Sequence, residues 1–525
     1  MPSGNVQQSG LRRAEVIAAL SLATDLAMGQ PVEFALKSCV LGMRLGAALG
    51  LGGDDLSEVY YHSLLRYVGC NAEVHAMAAM FGDELAFRRD FAPIDMGRVA
   101  EVAPLVFSYL RRANAGAGAV HMIAAVTRGM LVSQKFNADG IAAHCEVAER
   151  LAARLGLSAG VQRCLGQVYE RWDGRGLPKG LKGEAIAPAV RVVCFAQDLI
   201  VLRAAHGDAD ACTKLKERSG SAYDPRIVDR FSRRTDEFTA GLDEASWDDV
   251  LALEPGTRAA MSEEEFDAAC LAMADFADLK SPYTAGHSRA VSALAGEAAR
   301  RCGLTASDAI DLTRAGLLHD IGRGAVPARI WTKPGKLSSS EWEQVRLHPY
   351  YGERVLARPP ALARLGAIVG QHHERCDGSG YHRGTRASGL SAQGKILAAA
   401  EAYQGSIEER PHRAALRPEA AAQALKREVR EGRLDGDAAT AVLAAAGHRV
   451  SVRRELVAGL TQRELDVLRL IARGQSMKEM ARTLGISPKT VDNHTQSVYG
   501  KIGVKTRGGA ALFAIEHGLG GTGPA

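Results

Sequence analysis

At 525 residues the chain is too long for one ordinary core, and two to four domains are expected. It is 46% apolar and 24% charged with few aromatic residues, a globular composition, and no apolar run approaches the roughly 20 residues of a membrane span. The net charge of +5 excludes little by itself, but residues 457–525 hold nine Lys/Arg against five Asp/Glu, so an anionic partner is expected at that end. Nine cysteines without a CxxC pair fit reduced thiols, and the N-terminus has no apolar signal core; both point to a cytoplasmic location and no membrane partner. Alanine and leucine dominate and β-branched runs are scarce, so the expected fold class is all-α.

In chain order, the first phrases return later in the chain. LLRYVGC (64–70) pairs with LLHDIGR (317–323) at an offset of 253 residues. HCEVAERL (144–151) pairs with HPYYGERV (348–355), and GQVYERWDGRGLP (166–178) with GQHHERCDGSGYH (370–382), both at an offset of 204. The first copy therefore carries about 49 extra residues between Arg66 and His144. This is a duplication of large helical units. The acidic stretch DEASWDDVLALEPG (243–256) marks their boundary, giving expected domains at 1–255, 260–452 and 457–520.

The first unit lacks the polar residues of the second. Phe34 stands for His287, Arg66-Tyr67 for His319-Asp320, Val168-Tyr169 for His372-His373 and Gln197 for Glu401; only His144 remains, opposite His348. One histidine cannot hold a binuclear site, so no catalytic metal is expected there. A packing or dimerising partner is the favoured reading of this unit, with a ligand-sensing pocket as the other.

The second unit gathers His287, His319, Asp320, His348, His372, His373 and Glu401. Imidazole with carboxylate suits Fe, Mn, Zn, Ni or Co. Neighbouring residues on a helix project about 100° apart. The His319-Asp320 doublet can thus serve one site only near a helix end or between two ions, and a bridging Asp suggests a binuclear centre. Residues 278–413 resemble the HD-GYP family of the HD phosphohydrolase superfamily, on DLKSPYTAGHS, LLHDIGR, VPARIWTKPGKL, VRLHP, QHHERCDGSGYH, ILAAAEAY and ERPHR. The resemblance implies an all-helical domain, two or three metal ions and hydrolysis of cyclic di-GMP. It also implies that the seven residues above ligate metal, Fe or Mn first, and that Asp320 and Arg323 are catalytic. Arg323, Asp377, Gly380, Tyr381, Arg410 and Arg413 are the expected substrate-binding residues. For the two arginines of ERPHR an ordinary solvated face is the equal alternative. The departures are Gly-Tyr-His (380–382) for Gly-Tyr-Pro, Glu401 for an aspartate, Arg323 for a lysine and Gln404 for an acid. The missing proline predicts a looser loop.

At the C-terminus, Thr461-x-x-Glu464 and Ser476-x-x-Glu479 are capping boxes, Ser487-Pro488 opens a helix, and Gly474 and Gly485 fit helix ends. They predict helices from about 462, 477 and 488, the last two joined by LGIS into a helix-turn-helix. Val491, Val498 and Ile502 form an inward stripe on the third helix. The segment resembles the LuxR-type DNA-binding domain, of four helices. That resemblance places Lys489, Thr490, Asp492, Asn493 and Gln496 at the DNA groove, with Lys501 and Lys505 at the backbone. The expected protein has two tandem HD-type domains followed by this domain. It is a homodimeric transcription regulator that binds double-stranded DNA and hydrolyses a cyclic dinucleotide or other phosphodiester with two divalent metal ions. The alternative is a non-catalytic regulator whose second unit only senses a nucleotide or metal.

Overall fold

The computed structural model describes residues 10–114, 139–449, 457–516 and 519. Among them every regular element is a helix, and β pairing is limited to isolated bridges. The all-α expectation is met. The chain divides into two compact units, Met1–Arg449 and Val450–Ala525, and both repeats of the sequence lie in the first.

The first repeat contains α1 (Arg13–Ala27), α2 (Phe34–Ala48), α3 (Gly53–Leu65), α4 (Val74–Phe81), α5 (Glu84–Phe91) and α6 (Pro188–His206). Helices α4 and α5 belong to the stretch that is extra in this copy. The second repeat contains α7 (Glu263–Asp278), α8 (His287–Arg301), α9 (Ala306–Leu318), α10 (Ser339–Arg346), α11 (His348–Val355), α12 (Pro360–Val369) and α13 (Ala392–Ile407). Local sequence sets the starts of these helices. Ser262 and Glu265 close a capping box on α7, Thr305 accepts from Asp308 N on α9, and Ser391 accepts from Gly394 N on α13.

The two repeats share buried and partly buried hydrogen bonds at the sequence offsets. Asp25 accepts from Ala35 N at 3.2 Å where Asp278 accepts from Ser288 N at 3.1 Å. Gln167 accepts from Ala187 N and Gln371 from Ser391 N, both at 2.9 Å. Glu170 accepts from the amides of Lys179 and Leu181, and Glu374 from those of Arg383 and Thr385, all at 2.8 Å. Such groups persist because a buried amide or carboxylate without its partner is costly. The Gly-Tyr-His loop is therefore fastened by Glu374 as the proline-bearing loop of the first repeat is by Glu170. The peptide bonds 177–178 and 381–382 are both cis.

Two close turns position the second repeat's polar residues. Gly286, at φ 79°, turns the chain so that His287 starts α8. The first repeat keeps this left-handed turn with Glu33, at φ 74°, although a side chain there costs about 1–2 kcal/mol. Gly322 lets the turn after α9 lie against α11, since a Cβ would meet the His348 carbonyl at 2.2 Å.

In the C-terminal unit α14 (Gln462–Ala472), α15 (Met477–Leu484), α16 (Pro488–Ile502) and α17 (Arg507–Glu516) follow the expected punctuation. Both capping boxes form, and Gly485 ends α15 at φ 63°. Val491 and Val498 are buried among Leu468, Ile471 and Met480, with Ile502 partly buried beside them.

Candidate metal centre

Four segments of the second repeat bring the polar residues together: the start of α8 (His287), the end of α9 (His319 and Asp320), the start of α11 (His348), and the turn after α12 (His372 and His373). Glu401 joins them from the middle of α13. The donor atoms form three overlapping groups: His287, His319 and Glu401; His319, Asp320 and His372; and His348, His372 and His373. The doublet sits at a helix end, with His319 as the cap residue of α9. Asp320 faces both sides. Its Oδ2 lies 3.6 Å from His287 Nε2 and 3.3 Å from His319 Nε2, while its Oδ1 lies 3.4 Å from His348 Nε2 and 3.8 Å from His372 Nε2. Glu401 Oε2 is 3.0 Å from His287 Nε2 and 3.5 Å from His319 Nε2.

The imidazoles are oriented from behind. His319, His348 and His372 each place Nδ1 against the carbonyl three residues earlier, Gly316 at 2.8 Å, Val345 at 2.6 Å and Val369 at 2.6 Å. A carbonyl only accepts, so Nδ1 carries the hydrogen and Nε2 points into the centre. His287 differs, because its Nδ1 is 2.8 Å from Glu408 Oε2. Glu408 is held in turn by Gln404 at 2.7 Å and Arg410 at 2.8 Å. The sequence reading missed Glu408, and it noted Gln404 only as a lost acid.

The charges also suit a cation. Burial alone would lower His287, but Glu401, Glu408 and Asp320 outweigh it and hold the imidazole up at about 9. His319 is likewise raised, its burial outweighed by Asp320 and Glu401. Burial pushes Asp320 and Glu401 up, yet Arg323 and His319 hold Asp320, and His287 and His319 hold Glu401, well below the carboxylate range. Burial and the neighbouring imidazoles push His372 and His373 down, leaving them neutral. Among the described residues the buried Nε2 atoms of His287 and His319 and Oε2 of Glu401, though close to one another, make no well-aligned hydrogen bond. Orphaned donors aimed at one point, with hydrogens fixed on the far side, fit divalent metal. A cation seated there would displace the two imidazolium protons.

The expected substrate residues separate into two kinds. Arg323 donates to Asp320 Oδ2 at 2.6 Å and lies over the Trp331 ring at 4.1 Å. Tyr381 stacks on His373 with ring centroids 4.7 Å apart, and Trp342, a residue 43% exposed, meets Tyr381 edge-on at 6.1 Å. Arg323 and Tyr381 thus border the centre, with Trp342 behind Tyr381. Asp377 instead accepts from the Ser379 amide and hydroxyl, and Gly380 has no room for a Cβ, which would lie 2.3 Å from Arg375 N; both shape the loop. Arg410 donates to the Tyr283 carbonyl and to Glu408, and Arg413 to the carbonyls of Gly405, Ser406 and Glu408. Neither arginine lies on a free solvated face; both fasten the chain behind His287.

The HD domain family matches residues 128–227 and 272–438, together about half of the chain. The chain belongs to the HD domain family. Residues 458–514 match the luxR family of bacterial regulatory proteins, and the C-terminal unit is a domain of that family. The 3'3'-cGAMP-specific phosphodiesterase 3 of Vibrio cholerae serotype O1 is 28% identical over 417 residues, 78% of this chain and 90% of that protein. The cyclic di-GMP phosphodiesterase PA4108 of Pseudomonas aeruginosa is 39% identical over 132 residues, 25% of this chain and 32% of the relative. The crystal structure of a cyclic GMP-AMP specific phosphodiesterase of V. cholerae superposes with a TM-score of 0.57 at 25% identity, covering 84% of this chain and 99% of that one.

In the first HD-like repeat Arg66 donates to Gln197 Oε1 at 2.9 Å, with Asp198 at 3.9 Å. A fixed guanidinium thus stands where the second repeat has His319. Among the described residues no metal-holding group lies in the first repeat. In the luxR-family domain Lys489, Asp492, Asn493, Gln496 and Lys505 are exposed. Thr490 is partly covered and its hydroxyl pairs with Ser487 at 2.8 Å. Lys501 was expected at the DNA backbone; its ammonium is held by Glu464 at 2.7 Å. No helix among the described residues is long and apolar enough to cross a membrane.

Proposed function

We propose that the chain is a metal-dependent phosphodiesterase of cyclic dinucleotides joined to a DNA-binding domain, acting in the cytoplasm as a homodimeric transcription regulator. The observation that carries this reading is the placement of Asp320, one oxygen toward His287 and His319 and the other toward His348 and His372. So placed, Asp320 could serve two neighbouring groups of metal donors. His287, His319, Glu401 and Asp320 would hold one ion, and His348, His372, His373 and Asp320 the other. Fe or Mn suits donors that include no thiolate. When bound, two such cations supply Lewis acidity for an in-line displacement at phosphorus.

The chain's own residues do the rest. The carbonyls of Gly316, Val345 and Val369 and the Glu408 carboxylate hold four imidazoles in one orientation. Arg323 brings a permanent charge to the side of Asp320, and a guanidinium there suits a phosphate oxygen. Tyr381 and Trp342 offer aromatic faces on which bases stack. Tandem HD-type domains are supported by the shared hydrogen bonds and by the two matched segments. A homodimer fits a luxR-type domain, since helix-turn-helix proteins read paired half-sites. Metal or nucleotide occupancy would then alter DNA affinity through the dimer.

The test is metal analysis after anaerobic purification, followed by product release from cyclic di-GMP and 3'3'-cGAMP. About two metals per chain and turnover abolished in His319→Ala/Asp320→Ala are expected from a two-metal site. Bound metal with no turnover of either nucleotide would sink the enzymatic reading. DNA affinity that ignores both metal and nucleotide would sink the coupling.

A further inference from the structure

Helix α5 belongs to the extra stretch of the first repeat, yet its first residue is built into the second. Glu84 is 0% exposed, and its Oε1 accepts from Lys280 Nζ at 2.9 Å and from Ala328 N at 2.7 Å. Lys280, 1% exposed, also donates to the Gly324 carbonyl at 3.1 Å. These contacts join two ligand-bearing segments. Lys280 lies two residues after Asp278, whose carboxylate caps the His287 helix through Ser288 N and Oγ, at 3.1 and 2.7 Å. Gly324 follows Arg323, which holds Asp320. One turn along the same helix, Arg88 donates to the Ala27 carbonyl at 2.8 Å and to that of Cys70. Ala27 and Cys70 are the first-repeat counterparts of Lys280 and Arg323. Helix α5 is thus clamped to the same place in both repeats.

We infer that Glu84 is a positioning residue for the metal centre: through Lys280 and Gly324 it sets the spacing between His287 and the His319-Asp320 turn, making the first repeat part of the active-site framework. The inference rests on reading that cluster as a metal centre. A buried lysine needs a buried counter-charge, and among the described residues the ion pair of Lys280 is with Glu84 of the first repeat. A group placed to fix two ligand segments affects chemistry more than binding, because small misplacements at a reacting centre are costly.

The experiment uses the full chain, with Glu84→Gln and with the neutral pair Glu84→Leu/Lys280→Met, which strands no charge. Melting, cobalt stoichiometry, the visible spectrum of the Co(II)-loaded protein and cyclic dinucleotide kinetics are compared with the parent. The neutral pair is expected to melt near the parent and to bind the same amount of cobalt. It should show an altered cobalt spectrum and a kcat reduced about 10- to 100-fold at little-changed KM. A parent-like spectrum and kcat in the neutral pair would overturn the inference, since the pair would then serve only the fold. Failure of the neutral pair to fold would overturn it equally. A parent chain that binds no cobalt would instead refute the metal centre itself, and a parent that binds cobalt without turnover would refute the proposed enzyme while the spectrum still tests Glu84.

Discussion

Glu408→Ala should weaken one metal and spare the other. Three of the four Nδ1-anchored imidazoles rest on main-chain carbonyls that no substitution can remove. His287 alone rests on a side chain, Glu408, at 2.8 Å. Outer partners of metal-bound histidines are worth about 10- to 100-fold in affinity, which is about 1.4 to 2.7 kcal/mol at 1.36 kcal/mol per decade. His287 belongs with His319 and Glu401, apart from the group of His348, His372 and His373. The loss should therefore fall on one of two binding steps. The assay is titration of the metal-free protein with Mn(II) or Zn(II) against a competing chelator, resolving both steps. Glu408→Gln keeps an acceptor but loses the charge, so its effect should be the smaller. Two unchanged steps, or two steps weakened equally, would refute this division of the centre.

Four further outcomes follow from particular contacts. Arg66→His/Tyr67→Asp, which rewrites the doublet into the first repeat, should leave the metal count of the whole protein unchanged. Phe34, Val168, Tyr169 and Gln197 still occupy the other ligand positions, and any gain in metal would refute the reading of that repeat. In the luxR-family domain Glu464 is pushed up by burial, but Lys501, Ser497 and Thr461 outweigh this and hold it at about 2. Its stabilisation, about 1.5–3 kcal/mol for a charged hydrogen bond, is then complete above the ordinary 4.5 and is lost as pH falls toward 2. Acid melting of the parent should show this loss and Glu464→Gln should not. Asn493→Ala should change base preference by about 1–3 kcal/mol, whereas Lys489→Ala should weaken all sequences alike and flatten the salt dependence. Lys501→Ala, which breaks the ion pair with Glu464, should lower the melting temperature of the domain before it alters DNA specificity.

The polar cluster was legible because its central pair stands in a phrase whose other copy has lost it: LLRYVG beside LLHDIG separates the buried leucines, which both repeats keep, from the polar pair, which one keeps. The capping boxes at Thr461 and Ser476 were legible because a cap is settled within four residues. Glu408 was not, since its role depends on α13 returning its C-terminus to the start of α8, a contact across 121 residues. The partners of Arg410 and Arg413 were hidden for the same cause. A cationic pair in the sequence does not show that main-chain carbonyls stand in front of it.

Glu84 is the extreme case. Nothing about an acidic residue opening a short amphipathic helix separates it from ordinary helix-start chemistry, and its partner Lys280 lies 196 residues away in the other repeat. The sequence comparison marked that stretch only as surplus. Yet an insertion in a duplicated chain that has lost its own ligands is free to serve the other copy, and this one places a buried carboxylate against a buried ammonium there. The first repeat also keeps framework bonds at Asp25, Gln167 and Glu170 that match those of the second. On the proposed role of Glu84, that framework is tied through Lys280 and Gly324 to the segments that carry His287 and Asp320, so a repeat without the polar set would still serve the one that has it.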